Sequence, residues 1–306
     1  MSKSLKDIIK NNQYIHETYM KGKYIKQKID YKLCPIKMIN KGYYKETKRE
    51  LNLVNPRSFN EKIQYMNLYN RHELSTLCAD KYGVRDYIKE KGYGDLLVNL
   101  LGVYNNIDEI EFQKLPNKFV LKCTHGSGYN IICKDKSQLD IKDAKKKLKK
   151  WMKENYAIKN LELHYQDIEP KIICEQYIEG LDGNLPIDYK VFCFNGKPHF
   201  IECCIGRDEN LKIVFYDLTW NKLPYSTKEG VEQVNLPRPN KLEEMINVSR
   251  KLSEPFDFVR VDFFESNNKL LFGELTFTPA AGKMTSMTEE ADLLWGDLLH
   301  LNKVNN

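Results

Sequence analysis

No stretch of this 306-residue chain approaches the roughly 18 to 20 consecutive apolar residues that a membrane-spanning helix needs. The first residues also lack the short apolar run and small-residue cleavage site of a secretory leader, so the expected address is the cytoplasm. Eight cysteines are scattered with no Cys-x-x-Cys pair, which removes the usual zinc spacing. They read instead as small buried hydrophobes of a reducing compartment. Internal repeats and low-complexity tracts are absent. What is there is an ordinary globular composition, 42% hydrophobic, enough for a large core divided over two or three sub-domains.

The net charge of +6 is unevenly placed. Residues 1–50 hold 13 Lys and Arg against 5 Asp and Glu, so the rest of the chain is slightly acidic. Residues 3–32 interleave Ile8, Ile9, Tyr14, Ile15, Tyr19, Tyr24 and Ile25 with lysines. Such a segment can lie on a membrane surface, touch an anionic polymer or cap the protein, or it is simply a solvated lysine-rich helix face. No nucleic-acid reading motif accompanies it, and nucleic acid is not an expected partner.

Ser58-Phe59-Asn60-Glu61 has the capping-box pattern and predicts a helix over 60–69. Helices are also expected over 74–89, 141–152, about 240–252 and 289–301, and strands over 96–104, 119–124, 129–134, 172–178 and 212–216. Asn195-Gly196 joins strands 189–194 and 199–205, and 257–276 forms a second hairpin. This mixed order of hairpins and helices argues for α+β layers over a doubly wound parallel sheet.

The chemistry concentrates in charged residues set inside apolar strands. Arg260, Asp262 and Phe264 alternate onto one face of the first strand of the last hairpin, and Phe272, Glu274, Thr276 and Thr278 onto one face of the second. Two carboxylates brought together this way repel unless a cation lies between them, and hard oxygen ligands suit Mg²⁺ with bound phosphates. Lys122 lies inside an apolar strand just before Thr124-His125-Gly126-Ser127-Gly128, a small-residue loop through which backbone N–H groups can approach phosphate. The lysine precedes the glycines, so this is not P-loop spacing, and alone the segment reads equally as a flexible hairpin. His125 at the loop tip is either a proton-transfer group or a solvent-exposed or hydrogen-bonding residue. Glu175-Gln176-Tyr177-Ile178 is a strand edge that could face an adenine ring, with Asp182 or Glu179 toward ribose, or it is only a strand. Lys190 repeats the setting of Lys122 and is a second candidate phosphate clamp.

In this order the parts resemble the ATP-grasp superfamily. Asn55-Pro56-Arg57-Ser58-Phe59-Asn60-Glu61-Lys62, Asp80-Lys81-Tyr82-Gly83-Val84-Arg85, the Lys122 to Gly128 loop, Asp188-Tyr189-Lys190-Val191-Phe192-Cys193-Phe194-Asn195-Gly196 and Gly273-Glu274-Leu275-Thr276-Phe277-Thr278-Pro279 are similar to its teichuronopeptide-biosynthesis (TupA-like) branch. The resemblance implies an ATP-grasp fold behind a basic N-terminal extension (1–50). An N-terminal sub-domain (51–114), a central lid (115–180) and a C-terminal sub-domain (181–306) would follow, with ATP between the last two. It further implies an ATP-dependent carboxylate–amine ligase that forms an amide through an acyl phosphate. The carboxylate would be a sugar or polymer precursor of a bacterial surface polysaccharide, the other partner a small amine, and the enzyme would lie at most peripherally on the inner membrane face. Carried residue by residue, Lys122 and Lys190 hold phosphates and Thr124, Gly126, Ser127 and Gly128 close over them. Glu175 to Ile178 and Asp182 then hold the nucleoside, Asp262, Glu274 and Thr276 hold Mg²⁺, and Arg260 and Lys190, with His125, serve the reaction. Thr276 stands where many relatives carry Asn, a departure that bears on a second metal. A sugar or acyl kinase and a glycosyltransferase of the same pathway are the rival enzyme readings, and a polymer-binding scaffold the non-catalytic one.

Overall fold

The computed structural model describes residues 13–180, 186–206 and 211–301. Two helices, α1 (Gln13–Leu33) and α2 (Pro35–Thr47), open the described residues. α1 lies along residues 155–166: the Gln27 amide donates to the carbonyls of Ile158 and Lys159, and the Tyr24 hydroxyl accepts from the Asn155 N–H. α2 buries Ile39 and Tyr43. These contacts hold α1 against the body of the protein.

The capping box forms as expected, with Ser58 Oγ accepting from the Glu61 N–H and Glu61 Oε2 accepting from the Ser58 N–H, and opens α3 (Phe59–Tyr69). The single helix expected over 74–89 is instead two, α4 (Ser75–Ala79) and α5 (Val84–Glu90). Asp80 turns extended between them and its carboxylate accepts from the Tyr82 N–H, so a local side-chain bond wins over helix continuation. Lys81 sits in that break.

The remaining strands and helices are β1 (Leu100–Tyr104), β2 (Phe119–Cys123), β3 (Asn130–Cys133), α6 (Ile141–Trp151), α7 (Tyr156–Asn160), β4 (Ile172–Gln176), β5 (Asp188–Phe194), β6 (Lys197–Ile205), β7 (Lys212–Asp217), β8 (Lys222–Leu223), α8 (Leu242–Ser253), β9 (Phe258–Ser266), β10 (Lys269–Thr276) and α9 (Glu289–Leu298). The strand expected from residue 96 starts later because Gly94–Leu96 forms a 3₁₀ turn. Two sheets result, of order β1-β4-β2-β3 and β10-β9-β5-β6-β7-β8, with neighbouring strands antiparallel throughout. The α+β expectation holds.

The six-stranded sheet positions the site because its two faces differ. On one face Val191, Ile201, Val259 and Val261 are fully buried with Leu242, Met245 and Leu252 of α8. On the other, Phe192, Phe194, Phe200, Phe215 and Phe258 close around Phe59 of α3 and Trp295 of α9, whose indole stacks on Phe200 at 4.4 Å. Farther along the same strands this second face changes from aromatic to charged, since Lys190, Glu202 and Asp262 alternate with the buried Val191, Ile201 and Val261.

Candidate active site

Strand register draws the charged residues into one row. Glu274 pairs with Asp262, Asp262 with Lys190, and Lys190 with Glu202, so four charges from β10, β9, β5 and β6 lie side by side. Arg260 and Thr276 face each other on the neighbouring rung. A bulge at Gly273 sets this row: Phe272 pairs with Phe263 before it and Glu274 with Asp262 after it. Phe272 therefore lies on the opposite, apolar face with Phe263, not beside Glu274 as strict alternation predicts. A side chain at Gly273 would meet the Asp262 carbonyl at 3.0 Å, so the close approach favours glycine.

Arg260 grips Asp262 with two parallel bonds, Nε to Oδ1 at 2.7 Å and a terminal nitrogen to Oδ2 at 2.6 Å, and donates a third to the Thr276 hydroxyl at 3.2 Å. The Thr276 hydroxyl in turn donates to Glu274 at 3.3 Å. Lys190 stands between two carboxylates, 3.9 Å from Asp262 and 3.8 Å from Glu202. Burial pushes the Glu274 pKa up, but Lys81, Arg260, Lys190 and Lys122 outweigh it and hold the carboxyl down at about 2. Glu274 is thus ionised at any physiological pH.

Lys81 was given no role in the sequence reading, yet its ammonium donates to the Gly126 carbonyl at 2.7 Å and lies 3.6 Å from Glu274. It ties the glycine loop to the six-stranded sheet. Lys122 has its counter-charge in Glu175, 2.6 Å away, and Arg85 reaches the other oxygen of that carboxylate at 3.3 Å. Glu202 was missed as well, although a glutamate inside Phe200-Ile201-Glu202-Cys203-Cys204 gives the same signal as Lys190, a charge in an apolar strand. Lys190 and Glu202 of the row, with Arg260, form the charged side of a pocket of about 450 Å³ whose other lining residues include Ile213, Pro279 and Met284. A further carboxylate, Glu162, is buried where Thr278 donates to it at 2.6 Å; burial pushes its pKa up to about 7 against the pull of Thr278, Lys283 and Tyr156.

Two expectations need correcting. The Glu175–Gln176 backbone is no free edge, because β4 lies between β1 and β2 and the Gln176 N–H is spent on the Asn99 carbonyl. Only Tyr177 and Ile178 lie past the last ladder pair. His125 is not solvent-exposed but 2% exposed, and of its readings the hydrogen-bonding one is seen, its Nε2 against the Trp151 carbonyl at 3.0 Å and its ring beside Tyr129. Burial lowers its pKa, and the ring is built into the aromatic packing under the loop. Gly126 is fixed by that packing too, since a Cβ there would meet the Tyr156 ring at 2.6 Å. Thr124 is buried and its hydroxyl accepts from the Lys171 N–H, while Ser127 is exposed and Gly128 has a φ of +75°. Asp182 lies outside the described residues.

Among the described residues no group of three or more His, Cys, Asp or Glu could hold a metal ion. Asp262, Glu274 and Thr276 offer three oxygen-bearing side chains, too few for an all-protein cage. They match the ligand set of Mg²⁺, which keeps waters and takes one or two carboxylates together with substrate phosphates.

Residues 61–300 match the profile of the TupA-like ATPgrasp family. No curated protein matches the chain. Among solved structures, it is similar to the D-alanine–D-alanine ligase of Bacillus anthracis complexed with ATP (14% identity, 73% of this chain and 65% of that one, TM-score 0.43). It is also similar to the D-alanine–D-alanine ligase of Helicobacter pylori (15% identity, 80% and 70%, TM-score 0.42) and to the phosphoribosylamine–glycine ligase of Thermotoga maritima (10% identity, 69% and 52%, TM-score 0.41). The chain thus spans about two thirds of the first of these and about half of the last.

Proposed function

The chain belongs to the TupA-like ATP-grasp family, and from that premise we propose that it is an ATP-dependent ligase joining a carboxylate to an amine. The observation that carries this reading is the row Glu274, Asp262, Lys190 and Glu202 beside Arg260, on the open half of a sheet face whose other half is closed by aromatics. Asp262 and Glu274, with Thr276, would hold Mg²⁺, which when bound neutralises phosphate oxygens. Lys122 and Lys190 would hold phosphates, and Lys81 would keep the Thr124 to Gly128 loop drawn over them through the Gly126 carbonyl. Tyr177 and Ile178 would carry the adenine contacts. Arg260, already oriented by Asp262 and Thr276, would place its remaining donors on the carboxylate and on the phosphoryl group passing to it. No protein nucleophile is needed: catalysis rests on position and on charge, as in other phosphoryl transfers. His125 supports the loop by packing in this reading and moves no proton.

The carboxylate substrate would be a uronic acid or amino-acid unit of a bacterial surface polymer. The cytoplasmic address follows from the same assignment. Exposed Ile25, Ile29, Leu33 and Ile36 alternate with Lys26, Lys28, Lys32 and Lys37 on α1 and α2, and that surface would rest on the anionic inner face of the membrane. No helix among the described residues is long and apolar enough to cross a membrane.

The test is purified chain with ATP, Mg²⁺ and panels of uronic acids, amino acids and amines. Phosphate release that depends on the amine, with an amide product by mass spectrometry, supports ligation. A stable phosphorylated product without amide would favour the kinase reading and overturn this one.

A further inference from the structure

Glu202 is 3% exposed, yet only one of its carboxylate oxygens is served. Oε1 accepts from the Cys204 thiol at 3.2 Å and lies 3.8 Å from Lys190, whereas buried Oε2 has no hydrogen-bond partner. A buried carboxylate oxygen without a donor is costly, and such groups mark strain, a catalytic role or a bond that water or a ligand supplies. Glu202 also lines the 450 Å³ pocket, beside Lys190 and Arg260 and facing walls that include Leu211, Ile213 and Met284. Lys190 separates it from Asp262, so Glu202 stands apart from the oxygen donors that fit a cation.

We infer that this pocket receives the amine substrate and that Glu202 recognises its nitrogen, an inference that rests on the ligase reading above. A carboxylate ligand is repelled by Glu202, whereas an N–H supplies the donor that Oε2 lacks. Lys190 and Arg260 on the charged side disfavour a protonated ammonium and favour the neutral amine, which is the nucleophilic form. The apolar wall excludes water from the same end of the pocket. In the bond-forming step the nitrogen lone pair attacks the acyl carbon of the acyl phosphate and a C–N bond forms. The C–O bond to phosphate breaks with its electron pair leaving on phosphate, and the nitrogen's proton passes to Glu202 Oε2.

Glu202→Gln keeps the shape and removes the base, and Glu202→Asp keeps the charge at a shorter reach. The full chain, with ATP, Mg²⁺ and a panel of uronic and amino acids, is assayed with hydroxylamine, which traps acyl phosphates chemically as hydroxamates. It is assayed in parallel with D-alanine, L-lysine and glucosamine as amine probes. For Glu202→Gln, kcat/KM for the amine that the wild type uses should fall roughly 10²-fold further than for hydroxylamine, and Glu202→Asp should restore part of that difference. Equal losses with both nucleophiles, or none, would overturn the inference while leaving the ligase reading intact. A wild type that forms neither hydroxamate nor amide with any carboxylate would overturn the ligase reading, and this assignment with it.

Discussion

Lys81 stands 3.6 Å from Glu274 although the two are far apart in sequence, one in the break between α4 and α5 and the other past the bulge of β10. The same ammonium holds the Gly126 carbonyl, so one lysine fixes both the charge state of a candidate metal ligand and the seat of the glycine loop. Lys81→Met should therefore act on two readouts together. Loss of its charge removes the first of the cations that hold the Glu274 carboxyl down at about 2, so the pKa read by NMR titration of the metal-free chain should rise. Hydrogen exchange of residues 124–129 should speed up at the same time. A faster-exchanging loop with an unmoved Glu274 titration would show that Lys81 acts only as a tether.

Thr276 offers a separate probe of the metal end. Its hydroxyl bridges Arg260 and Glu274, and an asparagine amide oxygen at this position reaches farther toward a cation. Thr276→Asn should lower the Mg²⁺ concentration for half-maximal activity by about fivefold, the worth of roughly one added hydrogen-bond-strength contact. Thr276→Val should raise it, since both bonds are lost. Metal titrations at saturating ATP decide between these directions.

The last hairpin shows how far sequence reasoning reaches. Arg260, Asp262, Glu274 and Thr276 were legible because charges inside apolar strands are costly and therefore conspicuous. The bulge was not: Gly273 looks like any strand glycine, and without it Phe272 is placed on the charged face. Lys81 escaped because a helical pattern ran straight through it, and only the Asp80 bond to the Tyr82 N–H breaks that helix. Long-range register is equally silent in one dimension. Nothing in residues 188–206 says that Glu202 stands opposite Lys190, nor anything in 119–125 that Glu175 is the partner of Lys122.

That last pair leads to a stability prediction. Lys122→Met leaves the 6% exposed Glu175 carboxylate with Arg85 as its remaining cation at 3.3 Å. Because one partner persists, the loss should stay near 2 kcal/mol, below the range for a buried charge left entirely alone. Glu175→Gln removes the carboxylate and should cost less than Lys122→Met. Urea unfolding at neutral pH measures both.

Glu162 gives a pH dependence of opposite sign to Glu274. Its folded pKa is raised to about 7 from an ordinary carboxyl value, so its contribution to stability is complete below about pH 4.5 and is lost as the pH rises through 7. The groups facing it are Thr278, Tyr156, Lys283 and Glu274, and none removes the burial cost of the charged form. The wild type should thus lose on the order of 3 kcal/mol between pH 5 and pH 8 from this group alone. Glu162→Gln should flatten that slope while keeping the bond that Thr278 donates. Glu274 contributes nothing over this interval, because its transition lies below pH 4.5. Parallel urea titrations at the two pH values read the difference directly, and an unchanged slope in the variant would show that Glu162 is already ionised at pH 5.

The basic helices can be tested without disturbing the fold because their inner and outer faces are separate. Truncating α1 removes Tyr24 and Gln27, which bond residues 155, 158 and 159, and so would damage the loop's support along with any membrane contact. Ile25, Ile29 and Leu33 are 59%, 51% and 73% exposed and can be replaced by aspartate on the solvent side alone. The triple variant should keep wild-type ATP turnover and lose at least about tenfold in sedimentation with phosphatidylglycerol vesicles, since apolar burial and attraction to anionic headgroups both act at this face. Neutral phosphatidylcholine vesicles should bind neither protein. Equal binding of wild type and variant to the anionic vesicles would assign these residues to solvent, and would leave the contacts of α1 with residues 155–159 as its whole role.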